Sequence, residues 1–255
     1  STHGHCACRA AVVTSAAVKD VFGKTQGLKA SQHRRLERLQ QRSAGGKTVC
    51  TPELARALAE CAVDVGRMVG VLCDRRGSVE HVILGEPTRL YLPDVGRLRA
   101  GPGRLRGLRL VVARPRDGAF PSDLITDLER LKLDAVVVID AHDDGLPGRV
   151  QTATLLPDPA SASRHAIEAH ANVQDAMRTD FAASLDALEA EMARHVERVR
   201  DAAKVPGERD VAVLVGVYTG NKHEAQASMD ELMELARTAG VRVVDVVMQH
   251  RGEID

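Results

Sequence analysis

Apolar residues recur along this chain with two periods, and the change from one period to the other delimits the predicted elements. Over 29–41 (KASQHRRLERLQQ), Leu36 and Leu39 stand among basic and polar residues at helical spacing, which predicts a short basic helix. A second helix is predicted to begin after Thr51, because threonine caps helix N-termini and the proline that follows it suits the first turn.

The period then shortens to that of strands. The segments 66–74 (GRMVGVLCD) and 78–85 (SVEHVILG) flank an Arg-Arg-Gly turn, which predicts a β-hairpin. After an Arg-, Gly- and Pro-rich excursion, the pattern predicts strands at 108–113, 135–140 and 150–157 and a helix at 122–131. This order of helix, strands, helix and strands predicts a front domain of the α+β type with a mixed sheet.

In the last third of the chain the hydrophobic pattern changes twice. The Ala-rich, periodic segment 166–204 predicts a helix or a pair of helices. Beyond it, strands at 211–218 and 241–249 enclose a helix at 226–239, which is one βαβ unit and leaves a sheet face uncovered. The chain is therefore predicted to be α/β, with a disordered tail (1–20), the front domain (21–159), a helical linker (160–208) and an incomplete βαβ domain (209–255).

Composition narrows the classes of partner. The 35 basic residues balance 35 acidic ones, so a nucleic-acid contact would have to be local, and no DNA partner is predicted. Aromatic residues make up 2% of the chain with no Trp, and no apolar run has the length of a membrane span, so no membrane partner is predicted. The five cysteines are an odd number in a long chain, which favours a reducing cytoplasm.

The segment 44–48 (AGGKT) ends like a phosphate-binding loop. Such a loop needs its first glycine five residues before Gly46, where this chain has Gln41, and it needs a buried strand in front of it. We interpret the segment as an ordinary loop before the Thr51 cap. No catalytic residue, nucleotide-binding residue or cofactor is therefore assigned to this chain.

Two groups of side chains could bind a metal ion. Asp140 and His142 lie at the end of a hydrophobic strand, where cation ligands often occur, although an Asp- and Gly-rich surface turn is the commonplace explanation. Near the start of the chain, two histidines and two cysteines form a compact donor cluster with nothing to fix its geometry: His3, His5, Cys6 and Cys8. No metal site is assigned, and Asp140 and His142 stand as weak candidates.

The excursion before the strand at 108–113 is the main functional feature of the front domain. Guanidinium groups pair bidentately with phosphates, which makes five arginines candidates for RNA contact: Arg97, Arg99, Arg104, Arg106 and Arg109. A self-contained, solvated charge surface is the alternative. In the second domain, Lys222 lies in the loop after the first strand, where α/β sheets usually bind ligands, and it joins the candidates.

Several long strings of this chain resemble the HflX family of ribosome-associated GTPases. They are VFGKTQGLKASQHRRLERL, TPELARALAECAVDVGRMVGVLCDRRGSVEHVILG, LPDVGRLRAGPGRLRGLRLV, and DVAVLVGVYTGNKHEAQASMDELMELARTAGVRVVDVVMQHRGEID. The resemblance implies binding to the large ribosomal subunit and its rRNA. It also implies a G domain, in cis or in trans, that would bring GTP and magnesium only if it follows this region.

A second resemblance concerns the strand LRLVVARP and the following PSDLITD. In extended family members this place has a His-x-His and Ser/Asp pattern, which resembles that of JAMM-type zinc hydrolases. Val112 and Arg114 occupy the two histidine positions here, and neither can ligate zinc as a neutral imidazole does. The runner-up function is therefore a degenerate, metal-free JAMM-like scaffold for protein interactions. A metal hydrolase using Asp140 and His142 is a third possibility.

Overall fold

The structure is a computed structural model that describes residues 21–96, 101, 103–158, 163–202 and 211–252, without the side chains of 200–202. The chain divides into two compact units, with the division between His195 and Val196. Each unit combines helices with a sheet, so the predicted α/β class is confirmed. No helix among the described residues has both the length and the apolar character needed to cross a bilayer.

The first unit contains a long mixed sheet. Its strands are β1 (Phe22–Gly23), β2 (Val69–Asp74), β3 (Val79–Leu84), β4 (Leu108–Arg114), β5 (Ala135–Ala141), β6 (Pro147–Leu155) and β7 (His165–His170). They lie in the order β1-β3-β2-β4-β5-β6-β7. The β4/β5 and β1/β3 pairs are parallel and the other pairs are antiparallel.

Helices surround this sheet. They are α1 (Ala30–Arg38), a 3-10 turn (Leu39–Gln41), α2 (Pro52–Val65), α3 (Ser122–Leu131), α4 (Val173–Ala176) and α5 (Phe181–Ala202). Helix α2 packs on β2, β4 and β5, and its Leu54 and Leu58 are completely buried. Helix α3 connects β4 to β5 and packs on β5 and β6. The predicted helices at 29–41 and 122–131, the β2/β3 hairpin and the strand at 135–140 are all confirmed.

The start of α2 confirms the predicted cap. The Thr51 side chain accepts a hydrogen bond from the Leu54 amide at 3.3 Å, and Pro52 is the first helical residue. The Thr51 hydroxyl also donates to the Ser43 carbonyl at 2.6 Å. One side chain therefore begins the helix and holds the preceding loop against it.

The segment after residue 160 differs from its prediction. The helix predicted from residue 166 is a strand at its beginning, because β7 pairs antiparallel with β6 over the whole of its length, from His165 to His170. Helix structure begins only with α4 and α5. Phe181 and Leu185 at the start of α5 are buried in the core of the first unit, so part of the predicted linker packs with the front sheet.

The second unit is the predicted βαβ unit. It consists of β8 (Val211–Tyr218), α6 (Lys222–Thr238) and β9 (Arg242–His250), with β8 and β9 parallel. Helix α6 begins four residues before its predicted start, because the Asn221 side chain caps it by accepting the His223 amide at 2.9 Å. Residues along β8 alternate between half-buried and exposed, so one face of this two-stranded sheet is open.

Candidate functional site

The segment 95–107 lies between β3 and β4, immediately before β4, and we call it the arginine loop. Arg97 and Arg99 lie outside the described residues. Arg106 ties the two ends of the loop together, because its Nη1 donates to the Val95 carbonyl at 2.9 Å and to the Gly96 carbonyl at 3.1 Å. Its Nε donates to the Leu131 carbonyl at the end of α3, at 2.9 Å. Most donors of this guanidinium therefore bind backbone carbonyls of the protein itself.

Arg104 holds the other side of the loop against α5. Its Nη1 lies 3.0 Å from Oε2 of Glu189, while the neighbouring Leu105 amide donates to Oε1 of the same carboxylate at 2.9 Å. Glu189 is only 6% exposed although it lies on a helix surface. The loop and the first part of α5 are thus joined by a buried carboxylate.

The same carboxylate is shared with the hairpin turn. Arg75 Nη2 donates to Glu189 Oε1 at 2.8 Å, and Arg75 Nε donates to Oδ2 of the buried Asp134 at 2.7 Å. The Gly107 amide also donates to Asp134, at 2.8 Å. We call Arg75, Arg104, Asp134 and Glu189 the Glu189 network. Hydrogen bonding from Arg75 lowers the pKa of Glu189 to about 2, and the two carboxylates raise the pKa of Arg75.

Arg109 corrects the sequence-based picture most clearly. It was predicted on an exposed loop, yet it lies inside β4 and is 2% exposed. Its guanidinium stacks over the Phe181 ring, with 5.1 Å between Cζ and the ring centroid, and donates to the Gly45 carbonyl. Its Nε and Nη1 have no hydrogen-bond partner among the described residues, and burial lowers its pKa. A side chain in this position cannot contact RNA.

The Gly-Gly-Lys-Thr segment is packed against the hairpin turn. The Ala44 amide donates to the Gly77 carbonyl at 2.9 Å, and the Gly45 amide donates to Ser43 Oγ at 3.1 Å. Gly77 has a φ of +92°, and a Cβ there would lie 2.5 Å from the Gly45 nitrogen. Two amides that a phosphate loop would aim at its ligand are therefore occupied by protein acceptors.

Asp140, a weak metal candidate at the carboxyl end of β5, is paired with arginines. Arg114 Nε lies 2.6 Å from Asp140 Oδ1, and Arg149 Nε lies 2.9 Å from Asp140 Oδ2. Both guanidiniums also donate to the Gly118 carbonyl, which fixes the loop after β4. Because each oxygen of Asp140 faces a guanidinium, the local charge repels a cation.

His142 lies in the turn that follows β5. Its backbone amide donates to Leu146 at 2.9 Å and its carbonyl accepts from Gly145 at 2.8 Å. Within the residues described, no three His, Cys, Asp or Glu side chains are grouped to hold a metal ion. The early donors His3, His5, Cys6 and Cys8 lie outside those residues.

The cysteines of the described chain are buried thiols. Burial raises the pKa of Cys61 to about 11 and that of Cys73 to about 12, and it raises the pKa of Cys50 further. Thiols of this kind are seldom ionised near neutral pH, so they are poor nucleophiles. They fill the core as small apolar groups.

In the second unit, Lys222 is exposed in the first turn of α6. The strand ends beside it carry an aromatic pair, because the rings of Tyr218 and His250 meet edge to face with 5.2 Å between centroids. A cavity of about 340 Å³ lies in this unit, lined by residues that include Tyr218, Met229 and Met248. The position agrees with the rule that α/β units present ligand sites at the carboxyl ends of their strands.

The sequence also contained a basic feature to which no contact was assigned. Arg34 and Arg38 on α1, and Arg42 just after the 3-10 turn, are all exposed. The spacing of four residues between Arg34 and Arg38 was visible in the sequence, and it places these two side chains on one face of the helix. Leu36 and Leu39, which are buried, show that the arginines lie on the side away from the core.

Comparisons with known proteins give one short match. The chain is 50% identical over 42 residues to the GTPase HflX of Lacrimispora saccharolytica. The match covers 16% of this chain and 10% of that relative, so the chain spans a tenth of that protein's length. No protein-family model matches the chain, and no solved structure matches it either. The similarity supports a relation to HflX over that segment.

Proposed function

We propose that this chain is the ribosome-binding N-terminal region of an HflX-like GTP-binding protein. It binds the large ribosomal subunit through rRNA and supplies no catalytic residue. The observation that carries the proposal is the 50% identity over 42 residues to a GTPase HflX. GTP and magnesium would bind a G domain, provided in cis or in trans.

Local charge supports an RNA contact in a chain whose net charge is zero. Arginines suit phosphate contacts, since the guanidinium stays charged and offers parallel donors. Arg104 and Arg106 contribute indirectly in this proposal, because their donors hold the arginine loop to α5 and α3. Arg97, Arg99 and Lys222 are the proposed direct contacts among the residues named from the sequence.

A non-catalytic role is supported by how the Gly-Gly-Lys-Thr segment is used. The amide of the preceding Ala44 donates to the Gly77 carbonyl, the Gly45 amide donates to Ser43 Oγ, and the Gly45 carbonyl accepts from buried Arg109. Rearranging this segment around a phosphate would leave the Arg109 guanidinium with no remaining acceptor, at a cost of several kcal/mol by the order of magnitude for buried charges.

Co-sedimentation tests the proposal. The 255-residue chain is centrifuged with 50S and 70S particles at low and moderate salt, without nucleotide. Binding to 50S that weakens steeply with salt is expected, since phosphate contacts release counterions. The double variant Arg97→Gln/Arg99→Gln should bind less well. The matched control Arg130→Gln/Arg178→Gln, which removes equal charge from arginines already paired with carboxylates, should bind like the wild type. Absence of 50S binding at low salt would refute the proposal.

A metal-free scaffold is the second candidate, and the Arg114–Asp140–Arg149 cluster favours it. The cluster places a buried guanidinium where a JAMM-like site would have a histidine. Metal analysis of untagged protein separates this candidate from a hydrolase. Stoichiometric zinc that is lost in Asp140→Ala/His142→Ala would contradict the scaffold, whereas ribosome binding that is insensitive to salt would favour protein contacts over RNA.

A further inference from the structure

Helix α1 presents arginines in a fixed orientation. Leu36 and Leu39 are buried in the core of the first unit, so the helix cannot rotate about its axis. Arg34 and Arg38 stand two residues to either side of Leu36 and are exposed. The rise of an α-helix separates these two positions by about 6 Å along its axis. Arg42 follows the 3-10 turn and is exposed as well.

Two carboxylates on or beside α1 have other partners. Glu37 lies 3.2 Å from the His33 ring nitrogen, and Asp64 lies 3.4 Å from Arg35 on the flank of the helix. Across the described part of the chain, Arg34, Arg38 and Arg42 form no ion pair and no side-chain hydrogen bond. Their charge is thus available to a partner.

Two more cations extend this surface beyond α1. Ser43 forms an isolated antiparallel bridge with Ser78, which brings the chain after Arg42 alongside the hairpin turn. Gly46 lies against that turn, where a Cβ would stand 3.6 Å from the Arg75 carbonyl oxygen and 3.7 Å from that of Arg76. The neighbouring Lys47 and Arg76 side chains are exposed. We call the five residues Arg34, Arg38, Arg42, Lys47 and Arg76 the basic row.

We propose that the basic row binds the phosphate backbone of RNA. This inference rests on the proposed function and names a surface for it that is separate from the arginine loop. Successive phosphates of one strand form a row of negative charges, and guanidiniums held at fixed spacing by a packed helix can pair with them with little loss of side-chain freedom. Readout of sequence is not required, because phosphate contacts position a protein without discriminating bases.

The chemistry of the surroundings favours RNA over other anionic partners. A membrane-binding helix places large apolar side chains beside its basic residues, and protein interfaces depend on apolar or aromatic anchors. The large exposed apolar side chains of the described chain lie at none of the positions 30–48 or 75–77. The row therefore offers charge without an anchor, as a phosphate-backbone contact does.

The test compares two triple variants that lose the same charge. Arg34→Gln/Arg38→Gln/Arg42→Gln removes the centre of the row. Arg56→Gln/Arg130→Gln/Arg178→Gln removes three exposed arginines that are already paired with Glu60, Asp127 and Asp175. Fluorescence anisotropy with a labelled short RNA duplex gives affinity against salt. The row variant should bind about tenfold or more weakly, and its salt slope should fall by about 3, while the control should match the wild type.

Each outcome decides the inference. Equal losses in both variants would mean that overall charge, not the row, governs binding, and unchanged binding in the row variant would also overturn the inference. So would failure of the wild type to bind the duplex at low salt. Arg34→Lys/Arg38→Lys/Arg42→Lys guards against misfolding, because it retains charge and should recover most of the affinity. Wild-type binding to 50S that survives in the row variant would leave the proposed function standing and the row refuted. Duplex binding through the row without binding to 50S would support the row and refute the proposed function.

Discussion

The two units contain the same local motif in different surroundings. In the first, parallel β4 and β5 are joined by α3, and in the second, parallel β8 and β9 are joined by α6. Every residue of β5 is buried, whereas β8 alternates, with Val215 66% exposed. The motif is therefore not what buries a strand. Helix α2 and the neighbouring strands cover β5, whereas in the described chain β8 packs mainly against α6 and β9.

This difference has an energetic consequence. Apolar burial is worth about 25 cal/mol for each Å² removed from water, so a sheet covered on one face gains far less than one covered on both. Polar interactions differ in the same direction. The two carboxylates of the Glu189 network, Asp134 and Glu189, are buried, whereas Arg237 and Glu234 in α6 form an exposed pair 3.0 Å apart. The comparison can be tested with matched substitutions in the two units.

The largest effect is expected at Glu189. Glu189→Ala leaves Arg75 and Arg104 without their shared carboxylate, which should lower the unfolding free energy of the first unit by about 3 kcal/mol. This is the lower end of the usual range, because both arginines can rehydrate at the surface. Glu234→Ala should change the second unit by less than about 0.5 kcal/mol. Urea unfolding monitored by hydrogen exchange measures both, and equal effects would break the comparison.

The charge of Glu189 also predicts a dependence on pH. Its pKa is about 2 in the folded chain and 4.5 as an ordinary glutamate, so its contribution is complete above pH 4.5 and is lost as the pH falls towards 2. The difference in unfolding free energy between wild type and Glu189→Gln should therefore shrink over that window. A difference that stays constant from pH 6 to about 2 would contradict the assigned hydrogen bonds.

A smaller effect is expected from one substitution made in both sheets. Threonine has the shape of valine but brings a hydroxyl, which costs about 2 kcal/mol when buried without a partner. Val137→Thr in β5 should destabilise the first unit by that amount. Val215→Thr in β8 should change the second unit by less than about 0.5 kcal/mol. A large effect of Val215→Thr would mean that the open face is covered in solution.

The smallest difference between the two units is expected at the helix caps. Thr51→Ala and Asn221→Ala each remove an oxygen that accepts an amide in the first turn, and each should cost about 1 kcal/mol. Because the second unit is expected to have the smaller unfolding free energy, the same loss should increase its hydrogen-exchange rate by a measurable amount first. Serine at either position should restore the cap, which separates lost capping from a general disturbance.

Local patterns predicted those elements whose cause is local. The Thr51 cap, the hairpin turn and the apolar run of β5 depend on neighbouring residues, and each was found where the sequence predicted it. Strand β7 was missed because HAIEAH consists largely of good helix formers and precedes a true helix. It is a strand because β6 offers a free edge, which no window of the sequence reveals.

The candidate site was harder to predict for the same reason. Arg109 resembles its neighbours in a basic segment, but its partners Gly45 and Phe181 are distant in the chain. Arg104 and Arg106 were grouped from the sequence as candidate RNA contacts, and their bonds to Glu189 and to backbone carbonyls depend on the fold. Arg34 and Arg38 of the basic row, in contrast, were visible in the spacing of α1. That Lys47 and Arg76 belong to the same surface depends on the fold.

The bonds of Arg106 have one more consequence, which concerns how this chain can evolve. They join Arg106 to the carbonyls of Val95 and Gly96, so the two ends of the intervening segment are held together. Doubling the length of a flexible loop costs only about 0.6 kcal/mol once its ends are fixed. Changes of length within 97–102 should therefore leave the strands on either side in register, whereas changes at Arg104 or Leu105 would break the bonds to Glu189.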